Sequence, residues 1–405
     1  MNHTRQLLAA AAFFVATLPA LAQPPRVFLL DANQLASIKA APASDVRKQQ
    51  VVKAATAAAD KAITEGPFSV MQKGVTPPSG DKHDYMSQAP YFWADPSKPN
   101  GLPYIRRDGE HNPEIKKITD HDQLGRLGED SRNLALAWYL TGNAAYADRA
   151  ALLIRTWFLV PATRMNPNLE FGQGIPGINT GRGIGLIETR SLMPIADAAG
   201  LLAGSPAWTA ADQKGLTDWY AAFLKWMLDS QKGRDEDAAK NNHGTWYDLQ
   251  VTDYALFLGR RDLAVETLTR AKLRRIAFQI EPDGRQPLEL ARTNGWGYSI
   301  GNLDGLMQLA WLGQQAGVDL WGFRTADGRS IRAALDFLIP YSEGKPWDYQ
   351  QIGGFHADAL LGCLQQAANF YHDPKYVQFA QQLASGHNDP VTVLRRVSLS
   401  AAADN

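Results

Sequence analysis

The first candidate site is a run of polar residues at the predicted entrance of a helix. Asn241, Asn242 and His243 stand there, just ahead of Trp246. At a loop–helix junction an imidazole can present a ring nitrogen to a ligand, and a neighbouring amide can hydrogen-bond a carboxylate. The competing interpretation is structural: Asn242 caps the helix, and His243 is a buried polar group whose hydrogen bonds are satisfied. The spacing alone leaves both interpretations open.

The second candidate site follows further along the chain. Glu289 is followed by Arg292, then by Trp296 and Tyr298. The planar donor fork of an arginine suits a carboxylate, and a tyrosine beside it can have its phenolate stabilised and so act as a base. The competing interpretation is an Arg292–Glu289 ion pair with Tyr298 packed in the core.

Metal and nucleotide chemistry find little support in the sequence. The runs 81–84 (Asp-Lys-His-Asp) and 120–122 (Asp-His-Asp) contain metal-ligand types, but neither has helical His-x-x-x-His spacing. The glycine-rich run 181–185 lacks a preceding strand and does not fit a nucleotide-binding fingerprint. We therefore expect no bound metal and no cofactor.

The elements that must position these residues are mostly helices, because apolar residues recur at three- and four-residue steps. Helices are predicted over residues 35–64, 130–140, 144–158, 184–203, 210–228, 245–258, 262–279, 303–316, 330–339, 357–371 and 374–383. Short turns between consecutive helices imply antiparallel neighbours. We therefore expect an all-α fold, an incomplete α/α barrel (toroid) built from helical hairpins.

Long polar and aromatic loops interrupt this pattern. They cover residues 67–122, 165–183, 231–243 and 284–302. Loops of this length inside a compact fold are usually functional or disordered, and their aromatic content argues against disorder. We expect them to line a cleft at one end of the barrel.

The composition and the first residues of the chain narrow the class of protein. The chain has 405 residues with 41 basic and 41 acidic side chains, so a strongly basic nucleic-acid binder is not expected. The lone Cys363 excludes an internal disulfide. Residues 1–22 combine Arg5, a short apolar run and an Ala-x-Ala end, which predicts a cleaved signal peptide. The expected mature protein is a single domain, 23–405, in the periplasm or secreted, with no membrane attachment after cleavage.

Together these motifs resemble the alginate-lyase superfamily of polysaccharide lyases. The family 5 alginate lyases carry Asn-Asn-His followed later by an Arg and a Tyr, which match residues 241–243, Arg292 and Tyr298 here. Residues 85–93 resemble the family's Tyr-x-Ser-x-x-Pro-Tyr-x-Trp stretch. The chain departs from family 5 in the Gly-Thr-Trp after Asn-Asn-His and in the long loop 165–183. It is most similar to family 38, whose members act on alginate or glucuronan.

The resemblance implies β-elimination at a uronic acid. Asn242 and His243 would neutralise the substrate carboxylate with help from Arg292, which stabilises the enolate-like intermediate. Tyr298 would serve as both base and acid on mannuronate or glucuronate, where the C5 proton and O4 share one face of the ring. On guluronate His243 would be the base and Tyr298 the acid. The residues expected to bind the sugar chain are Tyr85, Gln88, Tyr91, Trp93, Arg182, Arg190, Asn241, Trp246 and Trp296.

The expected function is a periplasmic or secreted lyase of 1,4-linked polyuronates, with an anionic polysaccharide as its partner. Two alternatives stay open at this stage. A glycoside hydrolase on a similar barrel would need two positioned carboxylates. The available acids are Asp235, Glu236, Asp237 and Glu188. A non-catalytic polysaccharide-binding protein would keep the aromatic residues without needing the Asn242–His243 and Arg292–Tyr298 sets.

Overall fold

The structure is a computed structural model that describes residues 24–403. The predicted signal peptide, residues 1–22, lies outside the described residues. The α-helices are α1 (Ala32–Lys39), α2 (Val46–Ala62), α3 (Asp120–Thr141), α4 (Ala144–Phe158), α5 (Met193–Leu201), α6 (Ala210–Asp229), α7 (Gln231–Asp237), α8 (Asn242–Phe257), α9 (Arg261–Ala271), α10 (Ala277–Gln279), α11 (Pro287–Leu290), α12 (Gly295–Ala316), α13 (Ile331–Ser342), α14 (Leu361–Tyr371), α15 (Pro374–Leu383) and α16 (Pro390–Ala403). Short 3₁₀ segments cover Val70–Gln72, Pro113–Lys117, Gly183–Leu192 and Ala357–Leu360, and a π-helical turn covers Lys272–Ile276.

The predicted fold class is confirmed: the chain is an all-α incomplete α/α barrel. Consecutive helices pack as hairpins, with α3 against α4, α8 against α9 and α14 against α15. The α3–α4 turn shows how the sequence makes such a hairpin. Gly142 ends α3 in the left-handed conformation, and the side chain of Asn143 accepts the Ala145 N–H at the start of α4. Among the described residues, no helix is long and apolar enough to cross a membrane.

One cluster of buried apolar residues runs through the described chain, from Val27 to Leu399. Helix α8 lies deepest, because it is buried on nearly all its faces. It packs against α9 and α12. A helix enclosed in this way holds its first residues rigidly, and α8 begins at Asn242.

The helix boundaries differ from the prediction where local chemistry overrides the apolar pattern. The predicted helix 35–64 is two helices, because Pro42 lacks an N–H and the side chain of Asp45 caps α2 by accepting the Lys48 N–H. The first half of the predicted helix 184–203 is 3₁₀ rather than α. Helix α12 begins well before residue 303, since the side chain of Asn294 accepts the Gly297 N–H and caps it there.

Two small strand pairs order the long loops. Strands β1 (Met86–Gln88) and β4 (Phe171–Gly174) pair in parallel, while β2 (Phe92–Trp93) and β3 (Ile105–Arg106) pair antiparallel. The first pair joins the loop 67–122 to the loop 165–183, although helices α3 and α4 separate them in sequence. The predicted loops 231–243 and 284–302 contain α7, α11 and the first turns of α12.

Candidate active site

A cleft of about 980 Å³ opens where the long loops meet the first turns of α8 and α12. Residues from both candidate sites, the one around Asn242 and the one around Arg292, line this cleft. Of the predicted site residues, those that line the cleft are Gln88, Tyr91, Arg182, Arg190, Asn241, Asn242, His243, Trp246, Arg292 and Tyr298. The tertiary structure therefore brings together segments that lie far apart in the sequence.

Tyr85 and Trp296 do not line the cleft, so their predicted contact with a sugar is wrong. Tyr85 has no exposed surface, and Trp296 is 1 % exposed. The ring of Trp296 packs against Trp347 and Phe355, and its indole N–H donates to the carbonyl of His356 at 2.8 Å. Trp296 is a core residue that anchors the start of α12.

Trp93 also lies outside the residues that line the cleft. Its indole N–H donates to the carbonyl of Glu110 at 3.0 Å, and the guanidinium of Arg107 sits 5.2 Å from the centre of its ring. These contacts hold the β2–β3 hairpin together. Trp93 therefore helps to build the loop, and its contact with the sugar stays a prediction.

Asn242 is held by a buried carboxylate. Its backbone N–H donates to Oε1 of Glu289 at 2.6 Å and its side-chain amide donates to Oε2 at 2.7 Å. Glu289 is 1 % exposed, and burial raises its pKa above the ordinary value. The capping interpretation of Asn242 is wrong, since Asn242 is the first residue of α8 and makes no cap. The competing interpretation of an Arg292–Glu289 ion pair is also wrong, because Arg292 pairs with Asp108 instead.

His243 is oriented by a second buried carboxylate. Its Nδ1 lies 2.8 Å from Oε1 of Glu236, which comes from α7 and has no exposed surface. An imidazole whose Nδ1–H donates to a carboxylate carries its lone pair on Nε2. The His243 side chain remains 17 % exposed and faces the cleft. Such a ring is suited to accept a proton.

The connection between α7 and α8 is braced from behind by Arg275, which is 2 % exposed. Its guanidinium forms a salt bridge with Asp248 at 2.7 Å and donates to the carbonyls of Asp237 and Ala239. A β-carbon at residue 244 would lie 2.3 Å from this guanidinium, so only glycine fits there. The Gly244 that follows Asn-Asn-His therefore allows the guanidinium of Arg275 to lie close to the backbone.

Arg292 and Tyr298 are in direct contact. A guanidinium nitrogen of Arg292 (Nη2) donates to the Tyr298 hydroxyl at 2.9 Å, and the guanidinium carbon lies 4.0 Å from the centre of the Tyr298 ring. The Tyr298 hydroxyl in turn donates to the Tyr91 hydroxyl at 2.7 Å. Arg292 is held by Asp108, which accepts from Nε at 3.0 Å and from Nη2 at 2.7 Å.

The pKa of Tyr298 lies above its ordinary value. Burial is the largest cause, and the hydrogen bond and charge of Tyr91 add to it. Arg292 acts in the opposite direction but is outweighed. Arg292 favours the phenolate as expected, but burial and Tyr91 outweigh it, so Tyr298 is a neutral phenol at neutral pH.

The cleft is cationic although the whole chain is neutral. The basic groups that line it are Arg106, Arg182, Arg190, Arg292, His111, His121 and His243, and the acidic groups among its lining residues are Asp122 and Glu188. Desolvation lowers the pKa of Arg182 to about 10, so this guanidinium still carries its charge at neutral pH. A surface of this kind attracts a polyanion.

The sequence analysis missed the roles of several carboxylates. Asp108, which holds Arg292, was not considered, and Glu289, which holds Asn242, was considered only as an ion-pair partner of Arg292. Glu236 was considered only as a hydrolase acid, and the structure instead pairs it with His243. Pairing of this kind depends on distance in space, so the sequence pattern carried no signal for it.

The acidic runs considered as metal ligands are engaged in other contacts. Asp84 accepts hydrogen bonds from Ser79, Asn166 and Asn168, and Asp120 forms a buried salt bridge with Lys73 at 2.9 Å. Within residues 24–403, no group of three or more histidine, cysteine or acidic side chains is arranged to hold a metal ion.

Comparisons with known proteins identify the family to which this chain belongs. Residues 69–347 match the alginate lyase family. The crystal structure of an alginate lyase from Bacteroides ovatus is similar, with 41% sequence identity and a TM-score of 0.87 over 92% of this chain and 99% of that one. A variant of alginate lyase A1-III complexed with a tetrasaccharide shares the fold, with 15% identity and a TM-score of 0.55 over 89% of this chain and 93% of that one. No curated protein matches the chain. The chain belongs to the alginate lyase family of polysaccharide lyases.

Proposed function

We propose that the protein cleaves 1,4-linked polyuronates by β-elimination and leaves an unsaturated uronate at the new chain end. The substrates are alginate, especially its polymannuronate stretches, or glucuronan. The observation that carries this proposal is the convergence of an amide, an imidazole, a guanidinium and a phenol on one cationic cleft. The similar protein from Bacteroides ovatus is described as an alginate lyase, which supports the same substrate class.

Neutralisation of the substrate carboxylate is the first requirement, because the C5 proton is weakly acidic beside a negative charge. Asn242 uses one amide hydrogen on Glu289 and has a second available. Nη1 of Arg292 makes no hydrogen bond to any residue between 24 and 403 and is not sealed from solvent. These two donors can bind a carboxylate, and His243 adds a third only when its Nε2 is protonated.

Proton transfer then divides between His243 and Tyr298. On guluronate, where the C5 proton and O4 lie on opposite faces, Nε2 of His243 takes the C5 proton and the neutral phenol of Tyr298 protonates O4. On mannuronate or glucuronate, Tyr298 carries out both steps. Because burial raises the pKa of Tyr298, its base role requires the hydroxyl first to release its proton to solvent, with Arg292 stabilising the phenolate that then takes the C5 proton.

We further propose that the protein is closer to family 38 than to family 5, and that it acts in the periplasm or outside the cell after loss of residues 1–22. The loop 165–183, which is foreign to family 5, contributes β4 and Arg182 to the cleft wall. Mass analysis of the exported protein tests the second point. A mature chain that retains residues 1–22 would contradict it.

The experiment is incubation of the purified protein with separate polymannuronate, polyguluronate and glucuronan. Elimination creates a double bond conjugated to the carboxylate, so ultraviolet absorbance should rise with at least one polymer. New reducing ends without absorbance would instead indicate a hydrolase, and binding without cleavage would indicate a binding protein. Either result would overturn the proposal.

A further inference from the structure

Glu188 is one of two acidic residues in the lining of a cleft that is mostly basic. It lies in the 3₁₀ segment Gly183–Leu192. Its side chain is 5 % exposed. The Tyr85 hydroxyl and the Ser87 hydroxyl both donate to its Oε2 at 2.7 Å. A carboxylate with two short hydroxyl donors on one oxygen has a defined orientation.

The other oxygen of Glu188, Oε1, is open. It accepts no hydrogen bond from the described part of the chain, and it is not sealed from solvent. Glu188 is one of the residues that line the cleft. The small exposed part of this side chain therefore presents an acceptor to whatever occupies the cleft.

A negative group at this place disfavours a second carboxylate. Arg182 and Arg190 are the cleft arginines that interact electrostatically with Glu188 and offset its charge. Nδ1 of His121 also lies 3.7 Å from Oε2 of Glu188. A fixed negative acceptor repels the carboxylate of a uronate, but it can accept hydrogen bonds from ring hydroxyls. The hydroxyl groups are also where polyuronates differ in configuration, since mannuronate and glucuronate differ at C2.

We propose that Glu188 is a specificity-determining residue that accepts hydrogen bonds from the ring hydroxyls of one sugar unit. This inference rests on the proposed polyuronate lyase activity and names how the cleft discriminates between polymers. Tyr85 and Ser87 are then positioning residues, which gives the Tyr-x-Ser stretch a role that its burial otherwise leaves unexplained. Burial and Glu188 raise the pKa of Tyr85, which therefore remains a hydroxyl donor.

The test is Glu188→Gln. If the glutamine carbonyl takes the Tyr85 and Ser87 donors, its amide nitrogen faces the cleft, so an acceptor becomes a donor without a change of shape. The ratio of kcat/KM on polymannuronate to that on glucuronan should change by about tenfold or more, the effect of one mispaired polar contact in a binding site. If the wild-type enzyme cleaves only one polymer, the variant should gain cleavage of the other.

The matched control is Asp122→Asn, since Asp122 is an exposed acid on the same cleft. It removes the same charge and should change kcat/KM on all polymers by a common, salt-dependent factor. Tyr85→Phe should shift the ratio in the same direction as Glu188→Gln, by less. Thermal melting checks that each variant is folded.

The inference is overturned if folded Glu188→Gln keeps the ratio within about threefold of wild type, a difference too small for a lost charged hydrogen bond. It is also overturned if turnover disappears equally on every polymer, because that would indicate a general catalytic role. Failure of the proposed function is a different result: the wild-type protein would then form no unsaturated product from any polyuronate.

Discussion

Asp108 and Arg292 are joined by two hydrogen bonds, of 2.7 and 3.0 Å, although 184 residues separate them in the sequence. This pair connects the loop after β3 to the second candidate site. The backbone and hydroxyl of Thr293 also donate to Asp108, so the loop is held at several points. Arg292 thereby keeps the position from which it contacts Tyr298.

Tyr298→Phe should be the most informative substitution at the proposed centre. It removes one hydroxyl and keeps the ring, so packing should change little. Turnover on polymannuronate and glucuronan should fall by more than the ~10²–10⁴-fold of a single acid–base group, because two roles disappear together. The Michaelis constant should stay nearly constant, since Arg292 and Asn242 remain. A folded variant that keeps more than about a tenth of wild-type turnover contradicts the assignment.

Tyr91→Phe is the matched control for this substitution. It removes the hydroxyl that accepts from Tyr298 but leaves the proposed acid in place. Because Tyr91 contributes to the raised pKa of Tyr298, its loss should lower that pKa. On polyguluronate, where Tyr298 is the proposed acid, the alkaline limb of the pH–rate profile should then move to lower pH, while kcat near neutral pH falls far less than in Tyr298→Phe.

Glu236→Gln tests whether the buried carboxylate orients and activates His243. Glutamine keeps the shape and can still accept from Nδ1, but it no longer stabilises a protonated imidazole. We expect kcat on polyguluronate to fall at least about tenfold, with a smaller loss on polymannuronate, where Tyr298 is the proposed base. Asp235→Asn, on the same helix and hydrogen-bonded to Gln231 at the surface, serves as the control. Equal losses on both polymers would argue against the proposed division of labour.

Arg292→Lys should weaken both binding and rate. Lysine keeps the positive charge but cannot contact Asp108 through two nitrogens and Tyr298 at the same time. A higher KM and a lower kcat are therefore expected in steady-state kinetics. Arg106→Lys is the comparison, because Arg106 lines the same cleft with a side chain that is 56% exposed. If both substitutions change KM and kcat by similar factors, the two-nitrogen contact of Arg292 has no special role.

The Asp108–Arg292 pair also predicts a pH dependence of stability. The hydrogen bonds from Arg292 hold the pKa of Asp108 well below its ordinary value of about 3.9. The stabilisation is therefore complete above that value and is lost as the pH falls through the lowered pKa. The difference in unfolding free energy between wild type and Asp108→Asn should be larger at about pH 6 than at about pH 3. Asp229→Asn, whose surface partner is Lys225, should show a much smaller change.

Arg275→Ala should destabilise the protein strongly. It leaves the carboxylate of Asp248, which is 1 % exposed, buried without its partner, and breaking a buried pair in this way costs about 3–5 kcal/mol. Arg274→Ala removes the neighbouring, 34% exposed arginine and should cost about 0–1 kcal/mol. Urea unfolding measures both. If the two variants lose similar amounts of unfolding free energy, the buried contacts of Arg275 do not stabilise the fold.

The helical fold was predictable because burial of an apolar face is a local property of the sequence. Helix α4 begins and ends where the apolar spacing predicts, and α15 also has its predicted bounds. The apolar spacing was a poor guide at two places. Helix α16 was not predicted, and the segment 184–192 is 3₁₀ rather than α. In these places tertiary contacts rather than periodicity set the backbone.

By itself the sequence determined the residue types of the site: the Asn-Asn-His run, the later Arg and Tyr, and the family that they resemble. Only the tertiary structure decided which of them face the cleft and which carboxylate holds each one. Tyr85 and Trp296 are aromatic like Tyr91 and Trp246, yet Tyr85 is fully buried and Trp296 nearly so. The pairs Asp108–Arg292 and Glu289–Asn242 join separate segments. Distances of this kind follow from how helices and loops pack, and the spacing of residues along one chain segment does not contain them.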